Sequence, residues 1–142
     1  MDIKKINIKG NKKTKRMSPH VESATICIDN IMSLEEREMF LLFQILYNSD
    51  DNNIVRDEYG DFIYNLDDLS YILGLRPQNI ILRNLNKKGA IKKIKFDRRY
   101  VYAVNPYVVY RGKTVSPSVY MEFNDSNFRY IYGEDYFEEV LV

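Results

Sequence analysis

Between Asn65 and Asn105 the apolar residues change period, and that change limits what the chain can build. Up to Gly89 they recur at helical spacing, and beyond it they alternate as in strands. Asn65 can cap a first helix by accepting from its free amides, which places Asp67 and Asp68 at the positive end of the dipole. Leu66, Leu69, Ile72 and Leu73 form its apolar face, and Gly74 supplies the residue without a Cβ that can end it. Pro77 then suits the first position of a second helix, expected over Pro77 to Lys88, because its missing amide does no harm there.

In that second helix Ile81, Leu82 and Leu85 fall in one narrow sector and mark the buried face. Arg76, Asn79, Ile80, Arg83 and Lys87 lie opposite. After Gly89, Ile91, Ile94 and Phe96 and then Tyr100, Tyr102 and Val104 read as two strands joined by a charged turn, Asp97-Arg98-Arg99. The alternation slips near Lys92-Lys93, where a bulge is expected. Helix, turn, helix, hairpin is the plan of a winged helix, so the expected fold class is α+β: a winged helix-turn-helix with a flexible basic N-terminal tail and a C-terminal extension.

The chain has 142 residues, enough for one domain with a real core. Residues 1–18 carry Lys4, Lys5, Lys9, Lys12, Lys13, Lys15 and Arg16 among few apolar residues, too few to order the segment by burial. They are expected to form the flexible tail, and deleting the first seventeen residues should leave the melting temperature nearly unchanged. Residues 19–123 form the expected winged-helix domain and residues 124–142 an acidic, aromatic extension. The net charge of +1 hides this polarity. From Lys87 to Lys113 the positive residues are Lys87, Lys88, Lys92, Lys93, Lys95, Arg98, Arg99, Arg111 and Lys113, against Asp97 alone.

Outside the central stretch the signals are local. Ala24, Ile26 and Ile28 alternate as a weak strand. Ser33 and Glu36 have the spacing of a capping box, opening a helix that carries Met39, Leu42, Phe43 and Leu46 on one face and ends at Tyr47 or Asn48. The loop Ser49 to Asn53 lacks the spaced ligands and closing Glu of a calcium loop. Ile54-Val55 and Phe62-Ile63-Tyr64 can add a short strand to the hairpin, and Ser116-Pro117 opens a short helix with Val119, Tyr120 and Phe123 inside.

Cys27, the one cysteine, excludes an internal disulfide and fits a small core residue in a reduced, cytoplasmic setting. His20 stands without the neighbours a metal site needs, so no metal or cofactor is expected. No Gly-rich phosphate loop and no Ser-His or Cys-His arrangement is present, so catalysis is not expected. No apolar run reaches the roughly 20 residues that span a bilayer, and no signal-peptide core follows the basic start.

Two motifs carry a resemblance. Leu73-Gly74-Leu75, followed by a helix ending in Leu85-Asn86-Lys87-Lys88-Gly89-Ala90-Ile91 and by a basic hairpin, resembles the broad winged-helix class of bacterial regulators. Tyr102-Ala103-Val104-Asn105-Pro106-Tyr107, with Arg111-Gly112-Lys113 after it, is similar to the RepL-type plasmid replication initiators and related phage proteins of Firmicutes. The likeness runs from Ser33 to Phe123. The stretch from Leu75 to Leu85 is about two residues shorter than the commonest helix-turn-helix pattern, so base-reading positions are taken from the helix face rather than by alignment.

The resulting expectation is a sequence-specific double-stranded DNA-binding protein. Arg76, Asn79 and Arg83 would touch base edges, while Lys87, Lys88, Lys92, Lys93, Lys95, Arg98, Arg99, Arg111 and Lys113 would hold phosphates. The resemblance implies a plasmid or phage replication initiator with a replication-protein partner. A transcriptional regulator uses the same parts, with a homodimer through the aromatic C-terminus. A third reading is a winged-helix module that binds a host protein instead of DNA.

Overall fold

The computed structural model describes residues 3–7, 23–112, 116–126 and 128. It is a mixed α+β fold with two small antiparallel sheets. In chain order the elements are β1 (Ile3–Asn7), β2 (Ser23–Cys27), α1 (Ile28–Met32), α2 (Glu36–Tyr47), α3 (Leu66–Ile72), α4 (Ile80–Lys88), β3 (Ile91–Phe96), β4 (Arg99–Val104), β5 (Val109–Arg111) and α5 (Pro117–Met121). One sheet has the order β1-β2-β5 and the other is the β3-β4 hairpin. Among the described residues no helix is long and apolar enough to cross a membrane.

The pair α3 and α4 follows from its caps. Asn65 accepts from the Asp68 amide at 2.8 Å and opens α3 as its spacing predicts. Gly74, at φ +70, closes it: the Gly74 amide bonds back to Tyr71 and the Leu75 amide to Ser70. Gly89, at φ +84, ends α4 in the same way, with amides 89 and 90 bonded to Asn86 and Leu85. Pro77 does not open α4. Gln78 stands at φ +61, so the right-handed turn cannot begin before Asn79, and the helix runs from Ile80.

Beneath these helices lies one apolar cluster. Leu41, Leu42, Ile45 and Leu46 of α2 meet Leu69 of α3, Leu82 and Leu85 of α4, and Ile91 and Ile94 of β3. The buried face of α2 is rotated from its expected position, with Met39 and Phe43 half-buried and Ile45 fully buried. Its capping box is formed by Glu35 and Glu38 rather than Ser33 and Glu36. Ser33 instead closes α1, donating to the Asn30 carbonyl, and Leu34 and Met39 occupy the two positions of a hydrophobic staple around the later start.

The hairpin register runs unbroken from Ile91↔Val104 to Phe96↔Arg99, so the expected bulge is not there. The apolar pattern slips because both faces are covered at the base: Ile91 and Ile94 point to opposite faces and both are buried. Ile54 bridges Ala103, the Val55 amide donates to the Tyr102 carbonyl and the Tyr102 amide to the Ile63 carbonyl, so isolated bridges stand where the sequence suggests a short strand and the hairpin sheet keeps two strands.

Three buried asparagines join the parts. Asn53, at φ +66, donates to the carbonyls of Val104 and Val109 and accepts from the Arg111 amide, tying hairpin to β5. Asn105 reaches Gly89 and Ser126, and Asn30 reaches the carbonyls of Tyr107 and Phe128.

Two expected boundaries shift as a result. Ser126 and Phe128 belong to the packed body, so no extension begins at residue 124; Tyr130, Tyr132, Tyr136 and Phe137 lie outside the described residues. The tail is also not wholly flexible, since β1 pairs with β2 from Ile3↔Cys27 to Asn7↔Ser23. An open strand edge offers backbone bonds that composition alone does not register. Residues 8–22, with His20, lie outside the described residues.

Candidate nucleic-acid interface

α4 turns its inner face to the core through Leu82 and Leu85 and leaves Ile80, Arg83 and Lys87 outward, at the i, i+3, i+7 spacing of one stripe. Arg76 is exposed in the preceding turn, and Ile80 is 61% exposed. Asn79 is not free to read a base as expected. Its Oδ1 accepts from the amides of Ile81 and Leu82 at 2.9 and 3.1 Å, so the oxygen that adenine recognition needs is held by the helix cap.

The nine cations from Lys87 to Lys113 separate into distinct environments. Lys88 donates to Glu38 Oε1 at 2.6 Å; Glu38 is fully buried on α2, and its other bond comes from the Glu35 amide. Lys92 donates to the Glu122 carbonyl at 2.8 Å and to Asp125 Oδ1 at 2.9 Å. Arg111 is not at the surface. It is buried, donates to the Ser49 carbonyl, and burial pushes its guanidinium pKa down from the ordinary value, with Asp51 and Asp50 opposing. The expected basic turn therefore begins with a core residue, because β5 runs inward beside β2; Lys113 lies outside the described residues.

The remaining cations face outward. Lys87, Lys93, Lys95, Arg98 and Arg99 are exposed, and none forms an ion pair with a described residue. Register places Lys93 beside Tyr102 and Lys95 beside Tyr100 on one face of the hairpin, with Tyr100 60% exposed. On the other face Arg99 stacks over Phe62 at 5.5 Å, where Arg56 also lies at 4.3 Å.

At the tip, Asp97 and Arg98 both have positive φ, +50 and +65, the backbone of a two-residue type I′ turn. Glycine is the favoured second residue there, and arginine in the left-handed region costs about 1–2 kcal/mol. The turn thus carries a cation where stability alone favours glycine.

A cleft of about 400 Å³ links α4 to the hairpin base, lined by Asn86, Lys87, Lys88, Lys92, Lys93 and Asp125 among others. Sequence reasoning missed Glu38, Glu122 and Asp125 as partners, since they lie 27 to 50 residues from the groups they bind. Tyr100 and Tyr102 had a signal: Lys-x-Lys facing Tyr-x-Tyr across a two-residue turn puts both pairs on one face. Among the described residues no group of three or more His, Cys, Asp or Glu side chains could hold a metal ion. No family model matches the chain, and neither curated proteins nor solved structures yield a match.

Proposed function

We propose that this chain is a winged helix-turn-helix protein that binds double-stranded DNA in a sequence-specific way, with α4 in the major groove and the β3-β4 hairpin as the wing. The observation that carries the reading is the sorting of charge. Lys88 and Arg111, which the fold requires, are paired with a buried carboxylate or themselves buried, whereas Arg76, Arg83 and Lys87 around α4 and Lys93, Lys95, Arg98 and Arg99 on the hairpin face solvent. Arg83 can fork onto guanine, Ile80 can meet a thymine methyl, and the hairpin cations can hold phosphates. The glycine-favouring turn that keeps Arg98 supports the same reading.

The proposed biological role is replication initiation at a plasmid or phage origin, with transcriptional regulation through the same parts as the alternative. Selection of binding sites from a random duplex pool tests the DNA reading. It should enrich one sequence, and Arg83→Ala should weaken binding to that sequence by about 1–3 kcal/mol. Equal loss on selected and random DNA would make Arg83 a phosphate contact, and a pool that never enriches would overturn specificity.

A second reading, docking to a host protein, rests on a groove of about 540 Å³ lined by Asp57, Glu58, Asp68, Tyr59 and Tyr71. Both tyrosines are more than four-fifths exposed, and the lining is acidic, opposite in sign to the hairpin. Pull-down by the Tyr71→Ala variant against the parent chain separates this contact from DNA binding.

A further inference from the structure

The cleft between the end of α4 and the base of the hairpin is lined by four lysines, Lys87, Lys88, Lys92 and Lys93, and a single carboxylate, Asp125. That carboxylate is placed by the fold. The Ser126 amide bonds to the Phe123 carbonyl, the Ser126 hydroxyl accepts from Asn105, and Phe123 and Phe128 on either side are buried. Asp125 itself remains exposed, with 80% of its side chain in solvent, and reaches back to Lys92 Nζ at 2.9 Å. Its bond to Lys92 and the charge of that ammonium hold its carboxyl below the usual range, so it is an anion at neutral pH.

Glu122 completes the arrangement from α5. Its carbonyl also takes Lys92, and its carboxylate accepts the Lys95 amide on the outer edge of β3 at 2.8 Å. Lys92 is therefore aimed by a backbone acceptor that stays in place whether or not Asp125 does. An exposed pair of this kind is weak, so a stronger or multivalent anion can replace the carboxylate at small cost.

We propose that the cleft seats one backbone phosphate of bound nucleic acid, and that Asp125 occupies the seat in the free protein as its carboxylate stand-in. This rests on the DNA-binding reading and adds to it one contact and its competitor. Phosphate arriving between Lys87 and Lys92 displaces Asp125 into solvent, while Glu122 keeps Lys92 oriented. The seat belongs to the sugar-phosphate backbone, so its effect is the same on every sequence.

The test is a double-mutant cycle read by fluorescence anisotropy on random duplex DNA. Asp125→Asn keeps an oxygen for Lys92 but removes the charge, and should tighten binding by up to about fivefold, the ratio that corresponds to an exposed ion pair. Lys92→Met should weaken binding and lower the log–log salt slope by about one. In the Lys92→Met background Asp125→Asn should have almost no effect, with melting temperatures confirming that all four proteins fold. An equal gain from Asp125→Asn with and without Lys92 would reduce Asp125 to general repulsion and overturn the seat. Unchanged affinity in Asp125→Asn would overturn it too, while the DNA reading stands if the parent chain binds. Failure of the parent chain to bind duplex at all would overturn both.

Discussion

Two arginines thirteen positions apart in a basic stretch, Arg98 and Arg111, have opposite fates. Arg98 stands at the hairpin tip in a backbone region that favours glycine, exposed and without an ion pair among the described residues. Arg111 lies at the end of β5, buried, with its side chain on the Ser49 carbonyl and its amide on Asn53. One is kept against local stability and the other serves it. Charge in a sequence therefore marks a binding surface only after the fold has taken what it needs.

The comparison can be broken first on the structural side. Asn53→Ala removes the partners of the Val104 and Val109 carbonyls and of the Arg111 amide, and leaves alanine in the left-handed region. Stability should fall by about 3–5 kcal/mol, read by urea denaturation. An unchanged midpoint would mean that β5 does not depend on this junction. Lys88→Met strands the buried Glu38 carboxylate and should cost about 2–4 kcal/mol, less than for a fully buried pair because Lys88 is half-exposed. If Lys88 were mainly a phosphate contact, the variant would lose DNA affinity and keep its stability.

On the other side the two effects should part. Arg98→Gly relieves the turn and should stabilise the fold by about 1 kcal/mol while weakening duplex binding. Loss of stability, or unchanged binding, would remove the tip from the interface. Lys95→Gln should have the smallest effect: unchanged melting, affinity lowered alike on all sequences, and a salt slope shallower by about one.

Much of the local architecture was legible because its signals are local. Asn65, Gly74 and Gly89 cap and close their helices by chemistry within five residues, and the strands pair as their alternation implies, although the turn is Asp97-Arg98 alone, with Arg99 already in β4. What failed was competition between equally good local options. Ser33-Glu36 and Glu35-Glu38 both have box spacing, and the buried Leu34 favours the second. Pro77 suits a helix start, but Gln78 at positive φ rules it out. The pairing of Lys88 with Glu38 and of Lys92 with Asp125, and the docking of Ile3–Asn7 on β2, join residues far apart in the chain, where periodicity carries no information.

The measurement that tests the central claim most directly is the affinity of the whole chain for random duplex DNA across a salt series. With the outward cations of α4 and the hairpin on phosphates, binding should be tight at low salt and weaken with a log–log slope of about −3 to −6, at about 0.9 per phosphate contact. Absence of binding at low salt, or a slope near zero, would contradict the account, because the exposed cations would then have no polyanion to meet.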